Sequence, residues 1–162
     1  MKIGILQPGY LPWLGFFEQL GRSDIFVIYD DVQYDKNGWR NRNKIKNIHG
    51  AQWLTVPVSA KFSERPLVSE VRISNRFNWR KDHLLSIKYA YSRAPFYRDY
   101  ISIFEETYSK DWDKLIDVDM YFVLKLSEYL GLKDKKIVRS SAISVTGDRM
   151  GKLIKICYVW II

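Results

Sequence analysis

Two short apolar segments flank a turn rich in proline and glycine at the start of the chain, and this arrangement restricts the fold more than any other feature. Residues 3–6 and 25–29 are apolar and partly β-branched, as buried strands are. Residues 13–20 place apolar side chains at helical spacing, and Gly21 follows as a stop signal. Strand, short helix and strand in this order predict a βαβ unit, whose two strands are parallel.

The rest of the chain continues the alternation of strands and helices. Residues 30–50 are expected to be polar and rich in turns. Further strands are predicted at 52–58, 68–74 and 137–140, and helices at 79–91, 96–108, 112–130 and from Arg149 onward. The predicted fold class is therefore α/β, a parallel-sheet βαβ core with additional helices. We expect one domain over residues 1–157, followed by an apolar tail at 158–162.

Cysteine usage and hydropathy restrict the class of protein. Cys157 is the single cysteine, so no internal disulfide can form, which favours a reducing compartment and a cytoplasmic location. No stretch approaches the roughly 18 apolar residues that a membrane span needs. The sequence also lacks GxxxxGK[ST] and GxGxxG, and two histidines with one cysteine argue against a zinc site.

The opening turn and the end of the second predicted strand are expected to meet. In a parallel sheet the carboxyl ends of neighbouring strands border one crevice. Gln7, Gly9 and Tyr10 follow the first strand, while Asp30 and Asp31 follow the second. Gly9 would let the backbone approach a ligand, and the helix N-terminus would offer N–H groups to an anion.

A purely structural role for this turn is the alternative. The prolines would then only stiffen the turn, with Gln7, Gly9 and Tyr10 as scaffold, and the two readings are evenly balanced for these residues. Trp13, Phe16 and Phe17 are predicted to be core residues because of their helical spacing.

The segment DDVQYDKNGWRNRNKIK, residues 30–46, is the second candidate site. In this segment the carboxylates are followed by an indole and then by alternating guanidinium and amide groups. This composition is suited to binding a phosphate together with a base or a sugar. Asp30 and Asp31 could position an amine or hold Mg²⁺ with a nucleotide. The alternative is an exposed hairpin of mixed charge. The residues predicted to bind substrate here are Trp39, Arg40, Asn41 and Arg42.

The positive charge is concentrated in the middle of the chain. Residues 36–98 carry 14 Lys or Arg and 3 Asp or Glu, a net charge of +11, whereas the net charge of the whole chain is +8. A local excess suggests an anionic ligand, although a solvated basic face explains it as well. A nucleic-acid-binding module is the competing class, but no RNA-binding or helix-turn-helix signature accompanies the charge.

Three blocks of sequence resemble the WbqC-like protein family. They are QPGYLPWLGFFEQLGRSDIFVIYDDVQYDKNGWRNRNKIKN, QWLTVPV and KIVRSSAISVTGDRMGKLIKIC. The resemblance implies a link to the biosynthesis of O-antigen and other surface polysaccharides, and some members are labelled as glycine or acyl transferases. Family members usually run past 200 residues, so this chain is expected to be shortened at its C-terminus.

The apolar ending carries two expectations. Trp160, Ile161 and Ile162 should bury against a neighbouring subunit, which would make a homo-oligomer, or form an exposed apolar patch. A shortened chain could also be an inactive remnant.

The order of elements is analogous to the nucleotidylyltransferase-like superfamily, whose first turn holds phosphates with a His-x-x-His pair. Here Gln7 and Tyr10 stand in the comparable places, and neither supplies imidazolium charge.

These arguments lead to a transferase that modifies a sugar nucleotide in surface-glycan biosynthesis. Its predicted ligand is a nucleotide or nucleotide sugar.

Overall fold

The computed structural model describes residues 1–36, 38–60, 62–143 and 145–160, and its elements follow the order of an α/β fold. In the first half they are β1 (Ile3–Leu6), α1 (Leu14–Arg22), β2 (Ile25–Ile28), β3 (Arg42–Asn47), β4 (Gly50–Thr55), β5 (Val58–Ser59) and β6 (Arg72–Ile73). In the second half they are α2 (Trp79–Tyr91), α3 (Tyr97–Ser109), α4 (Leu115–Tyr129), β7 (Lys136–Arg139) and α5 (Arg149–Tyr158).

A parallel three-stranded sheet, in the order β1-β2-β7, forms the central layer. Ile25 at the start of β2 pairs with Ile3 of β1 on one side and with Lys136 of β7 on the other. The α/β fold class and its parallel βαβ core are thus confirmed, with α1 as the crossover between β1 and β2. The nucleotidylyltransferase analogy is not confirmed.

The middle strand β2 is buried on both faces because successive side chains of a strand point in opposite directions. Phe26 and Ile28 pack with residues of α1 and α4 on one face. Ile25 and Val27 pack with Ile156 of α5 on the other face. Helices therefore cover both sides of the sheet, as expected for parallel strands.

A larger apolar cluster lies beside the sheet and joins the β3–β4 hairpin to helices α2, α3 and α4. Phe122 of α4 is fully buried in it, and its ring meets the ring of Tyr10 edge to face at 5.6 Å between centroids. The first turn of the chain is therefore anchored in this cluster as well as in the sheet.

The extended segments differ from the sequence prediction in their pairing. Residues 30–50, predicted to be rich in turns, include β3, which pairs with β4 in an antiparallel hairpin. The strand predicted at 52–58 is divided into β4 and β5, and Pro57, which has no N–H for a ladder, stands between them. The strand predicted at 68–74 begins instead with a 3-10 turn, Val68–Glu70, and only β6 is extended.

The helix predictions are close to the structure. Helix α2 has the predicted bounds, and the Asn78 side chain caps it by accepting a hydrogen bond from the Lys81 backbone N–H. Gly131, with φ of +70°, follows α4 where a stop was predicted. Among the described residues, no helix combines the length and the apolar character needed to cross a membrane.

Two of the three aromatic side chains predicted to lie in the core are buried. Phe16 and Phe17 are buried as predicted, but the prediction for Trp13 is wrong, because Trp13 precedes the first turn of α1 and is 65% exposed. In the predicted tail, Trp160 packs against the apolar cluster below α5, while Tyr158 and Val159 are exposed. Ile161 and Ile162 lie outside the described residues.

Replacing Phe122 by alanine should destabilise the protein by about 3–5 kcal/mol, because it removes a fully buried ring. Leu124, on the same helix, is 48% exposed, so Leu124→Ala should change the free energy of unfolding by less than about 0.5 kcal/mol. Urea unfolding of both variants measures the difference, and equal losses would contradict the position assigned to α4.

Candidate functional site

A crevice of about 1250 Å³ lies where β1 and β2 end. Parallel strands direct their carboxyl ends to one edge of the sheet, so the residues that follow β1 and β2 line the same space. Its polar lining includes Gln7, Asp31, Gln33, Arg40, Asn43 and Lys152, so the first turn, the segment after β2 and helix α5 all contribute.

Hydrogen bonds fasten the first turn to the segment that begins at Trp39. The Arg40 guanidinium donates to the carbonyls of Gln7 (3.3 Å) and Pro8 (3.0 Å). The Tyr10 backbone N–H donates to the Arg40 carbonyl at 2.9 Å, and the Asn43 amide donates to the Leu11 carbonyl at 2.6 Å. The segment around Arg40 therefore forms a wall of the crevice.

Two backbone positions in this turn are restricted. A side chain at Gly9 would bring its Cβ to 3.0 Å from the Trp39 carbonyl oxygen, so glycine permits the close approach of turn and wall. Leu11 has φ of +50°, a conformation that non-glycine residues seldom adopt. The side-chain amide of Asn43 donates a hydrogen bond to the Leu11 carbonyl and holds Leu11 in this conformation.

Asp30 is a structural carboxylate. Its side chain is fully buried and lies 2.6 Å from the Nε of Arg139. Ser141 donates to it through both its backbone N–H (2.9 Å) and its hydroxyl (2.8 Å), and Ser140 donates at 3.1 Å. Burial alone would raise the pKa of Asp30, but the hydrogen bonds from Ser141 and Arg139 outweigh it and hold the pKa below its usual value.

Asp31 lines the crevice and is paired with a lysine from α5. The Nζ of Lys152 lies 2.7 Å from the Asp31 carboxylate and also donates to the Asp31 carbonyl at 2.8 Å. The Ser140 hydroxyl donates to the same carboxylate. Asp31 thus places an acidic group at the crevice surface, and Lys152 is the cation that pairs with it.

The acidic pair does not fit a magnesium ion. The oxygens of Asp30 and Asp31 are taken up by Arg139, Lys152 and the two serines. In the described part of the chain there is also no group of three or more His, Cys, Asp or Glu side chains that could hold a metal ion.

Tyr10 borders the crevice, but its side chain lies in the core. The phenol is fully buried and hydrogen-bonds to the Nδ1 of His83 at 2.8 Å and to the hydroxyl of Tyr108. Burial raises the pKa of Tyr10 well above its usual value, so the phenol stays protonated. Burial also lowers the pKa of His83 to about 4, although its hydrogen bond with the Thr55 backbone acts in the opposite direction.

The predicted segment 39–42 is divided among several environments. Trp39 is 51% exposed and lines the crevice together with the exposed indole of Trp13. The buried Asn41 side chain donates to the Val56 carbonyl at 2.8 Å and thereby joins the wall to the end of β4. The guanidinium of Arg42 lies 4.8 Å from the ring centre of Trp53, on the hairpin rather than in the crevice lining.

The structure therefore brings Gln7, Gly9, Asp31, Trp39 and Arg40 together around one crevice, whereas Asp30, Asn41 and the Tyr10 phenol are buried. Sequence reasoning missed the residues that complete the site from elsewhere. Asn43 lay within the quoted basic segment, but Arg139, Ser140 and Lys152 carry no local signal that predicts contact with residues about 110–120 positions earlier.

The comparisons with known proteins agree with the resemblance noted in the sequence. The model of the WbqC-like protein family matches residues 7–160. The uncharacterized protein Rv1507c of Mycobacterium tuberculosis is 43% identical over 93 residues, which cover 57% of this chain and 40% of the relative. The match thus spans less than half of the length of that relative. No solved structure matches the chain.

Replacing Arg139 by glutamine should destabilise the protein by about 1–3 kcal/mol, because the buried Asp30 carboxylate loses its cation and keeps only its bonds from Ser140 and Ser141. Arg72 forms an exposed ion pair with Asp113, so Arg72→Gln should lower stability by less than about 1 kcal/mol. Chemical denaturation at pH 7 compares the two. Equal effects would show that Asp30 does not depend on Arg139.

His83 should make the protein less stable as the pH falls from 7 to 4.5. The unfolded chain binds a proton at this side chain below about pH 6.5, whereas the folded imidazole does so only near its pKa of about 4. In that range His83→Gln should therefore lose less stability than the parent. The difference between variant and parent isolates this residue from other titrating groups, and parallel curves would refute the assignment.

Proposed function

We propose, starting from the fact that the chain belongs to the WbqC-like protein family, that it is a transferase acting on a sugar nucleotide. The crevice would bind the nucleotide sugar, and the transferred group would be an aminoacyl or acyl group. The pathway would be surface-glycan biosynthesis, and the protein would work in the cytoplasm.

The observation that carries this proposal is the meeting of two cations and two exposed indoles in one crevice. Arg40 and Lys152 approach it from the wall and from α5, and both favour phosphate oxygens. Trp39 and Trp13 offer exposed ring surface on which a base or a sugar can stack. A nucleoside diphosphate sugar presents this combination of anionic and planar groups.

The N-terminus of α1 adds a further attraction for an anion. Trp13 precedes this nine-residue helix and makes no side-chain capping bond, and Pro12, Trp13 and Phe16 line the crevice. Backbone N–H groups of the first turn and the helix dipole therefore favour negative charge at this end. The diphosphate would lie between this helix end, Arg40 and Lys152.

Asp31 would position the amine that takes part in the transfer. It is the carboxylate that lines the crevice, and Lys152 and Ser140 fix its orientation. Asp30 would contribute by holding the end of β2 against β7, through Arg139 and the two serines. Gln7 and Gly9 would line the floor, while Asn41 and the Tyr10 phenol would keep the wall and the floor in place.

Nucleoside diphosphates and their sugar conjugates should bind to the purified protein in calorimetric titrations. Lys152→Gln should weaken this binding by about 1.5–3 kcal/mol, the value of a hydrogen bond to a charged group. Arg40→Lys should also weaken it, because lysine keeps the charge but cannot reproduce the guanidinium geometry. Exposed Lys133 is the control, and Lys133→Gln should bind like the parent.

Thermal unfolding of each variant separates a loss of binding from a loss of fold. The proposal fails if no nucleotide binds, or if both site variants bind like the parent. Sub-micromolar binding of nucleic acid with a preferred sequence at physiological salt would instead favour the binding-module alternative. A folded protein that binds neither would contradict both of these functions.

A further inference from the structure

The outer face of the β3–β4 hairpin is basic and aromatic, and the proposed nucleotide crevice leaves most of it unused. The strand register places Arg42, Lys44 and Lys46 on one face of β3, and Trp53 of β4 lies directly across from Lys44. On the opposite face, Ile45 of β3 and Leu54 of β4 are buried in the large cluster beside the sheet. The hairpin therefore has an anchored inner face and a solvent-exposed outer face.

No acidic residue balances this charge within the segment. Between Asp35 and Glu64 the sequence contains six Lys or Arg residues and neither Asp nor Glu. Lys44 and Lys46 are exposed, and in the part of the chain that the structure describes neither of them forms an ion pair. The face thus attracts anions.

Aromatic surface lies within this charge. Trp53 is 41% exposed, and its ring centre lies 4.8 Å from that of Trp39 at an interplanar angle of 60°. The Nζ of Lys44 lies 4.8 Å from the Trp53 ring centre and 5.9 Å from the Trp39 ring centre. A ligand here meets indole and ammonium groups at the same time.

The hairpin face is continuous with the crevice. Trp39 lines the crevice and also contacts Trp53, so the two exposed indoles lead from one to the other. A ligand that begins in the crevice can therefore extend onto the hairpin without leaving the aromatic surface.

We infer that Trp39, Trp53, Lys44 and Lys46 form a binding site for an anionic saccharide. The apolar C–H face of a sugar ring would lie on the indoles, and its carboxylate or phosphate groups would meet the two ammonium groups. Naming this saccharide as the acceptor of the transferase rests on the proposed function, whereas the binding itself does not.

Single-stranded nucleic acid fits the face less well. Stacking of successive bases uses free aromatic faces. The Trp39 and Trp53 rings are inclined to each other by 60°, so they do not present two parallel faces to successive bases. A single sugar ring needs only one of these faces, and the ammonium groups of Lys44 and Lys46 are available to its anionic substituents.

Titration of the whole chain with trigalacturonate, with neutral maltotriose as the reference ligand, tests this inference. Trigalacturonate should bind and maltotriose should bind at least about tenfold more weakly, since it offers no anion to the lysines. The double variant Lys44→Gln, Lys46→Gln should lose about tenfold or more in affinity for trigalacturonate. Lys81→Gln with Lys133→Gln removes the same charge from exposed positions outside the hairpin and should bind like the parent.

Two further measurements decide between the alternatives. Nucleoside diphosphate binding should be unchanged in the hairpin double variant, so failure of the saccharide site and failure of the nucleotide crevice are distinguishable. Trp53→Leu should weaken trigalacturonate binding while circular dichroism shows an intact fold. The inference is overturned if trigalacturonate does not bind, if both double variants behave alike, or if oligothymidylate or phosphatidylglycerol vesicles bind more tightly through Lys44 and Lys46.

Discussion

The crevice depends on one arginine that is bound to backbone carbonyls rather than to an acid. Arg40 donates to the carbonyls of Gln7 and Pro8, and its own carbonyl accepts the Tyr10 N–H, so both sides of the turn are held by one residue. A guanidinium with five fixed donors can bind carbonyls and keep its charge, which lysine cannot do with the same geometry. The wall of the crevice is therefore positioned by the group that would also attract a phosphate.

A buried carboxyl group in helix α4 interacts with this arginine. Asp119 of α4 is fully buried, and burial raises its pKa well above the usual value, with Arg40 partly opposing the shift. Neither of its oxygens has a hydrogen-bond partner among the described residues. Burial lowers the pKa of Arg40 and the Asp119 charge opposes this, so the wall of the crevice is linked electrostatically to α4.

The parts of the structure that sequence could predict are those governed by local patterns. Residues 3–6 form a strand with the predicted bounds because a buried parallel strand is a short apolar run. The bounds of helix α2 were predicted equally well from its pattern of apolar residues. Trp13 was misjudged because helical spacing does not reveal that the helix begins one residue later. Strand β3 was missed because its outer face is polar. Its extended conformation depends on pairing with β4, which the local sequence does not reveal.

The two adjacent aspartates show why the rest of the site could not be predicted. Asp30 and Asp31 looked alike in sequence, but one is buried against Arg139 and the other reaches the crevice beside Lys152. Both cations come from β7 and α5, elements that follow more than a hundred residues later. The pairing of β7 with β2 brings Arg139 to Asp30, and the packing of α5 brings Lys152 to Asp31. The candidate site is therefore complete only when β7 and α5 both lie against the end of β2.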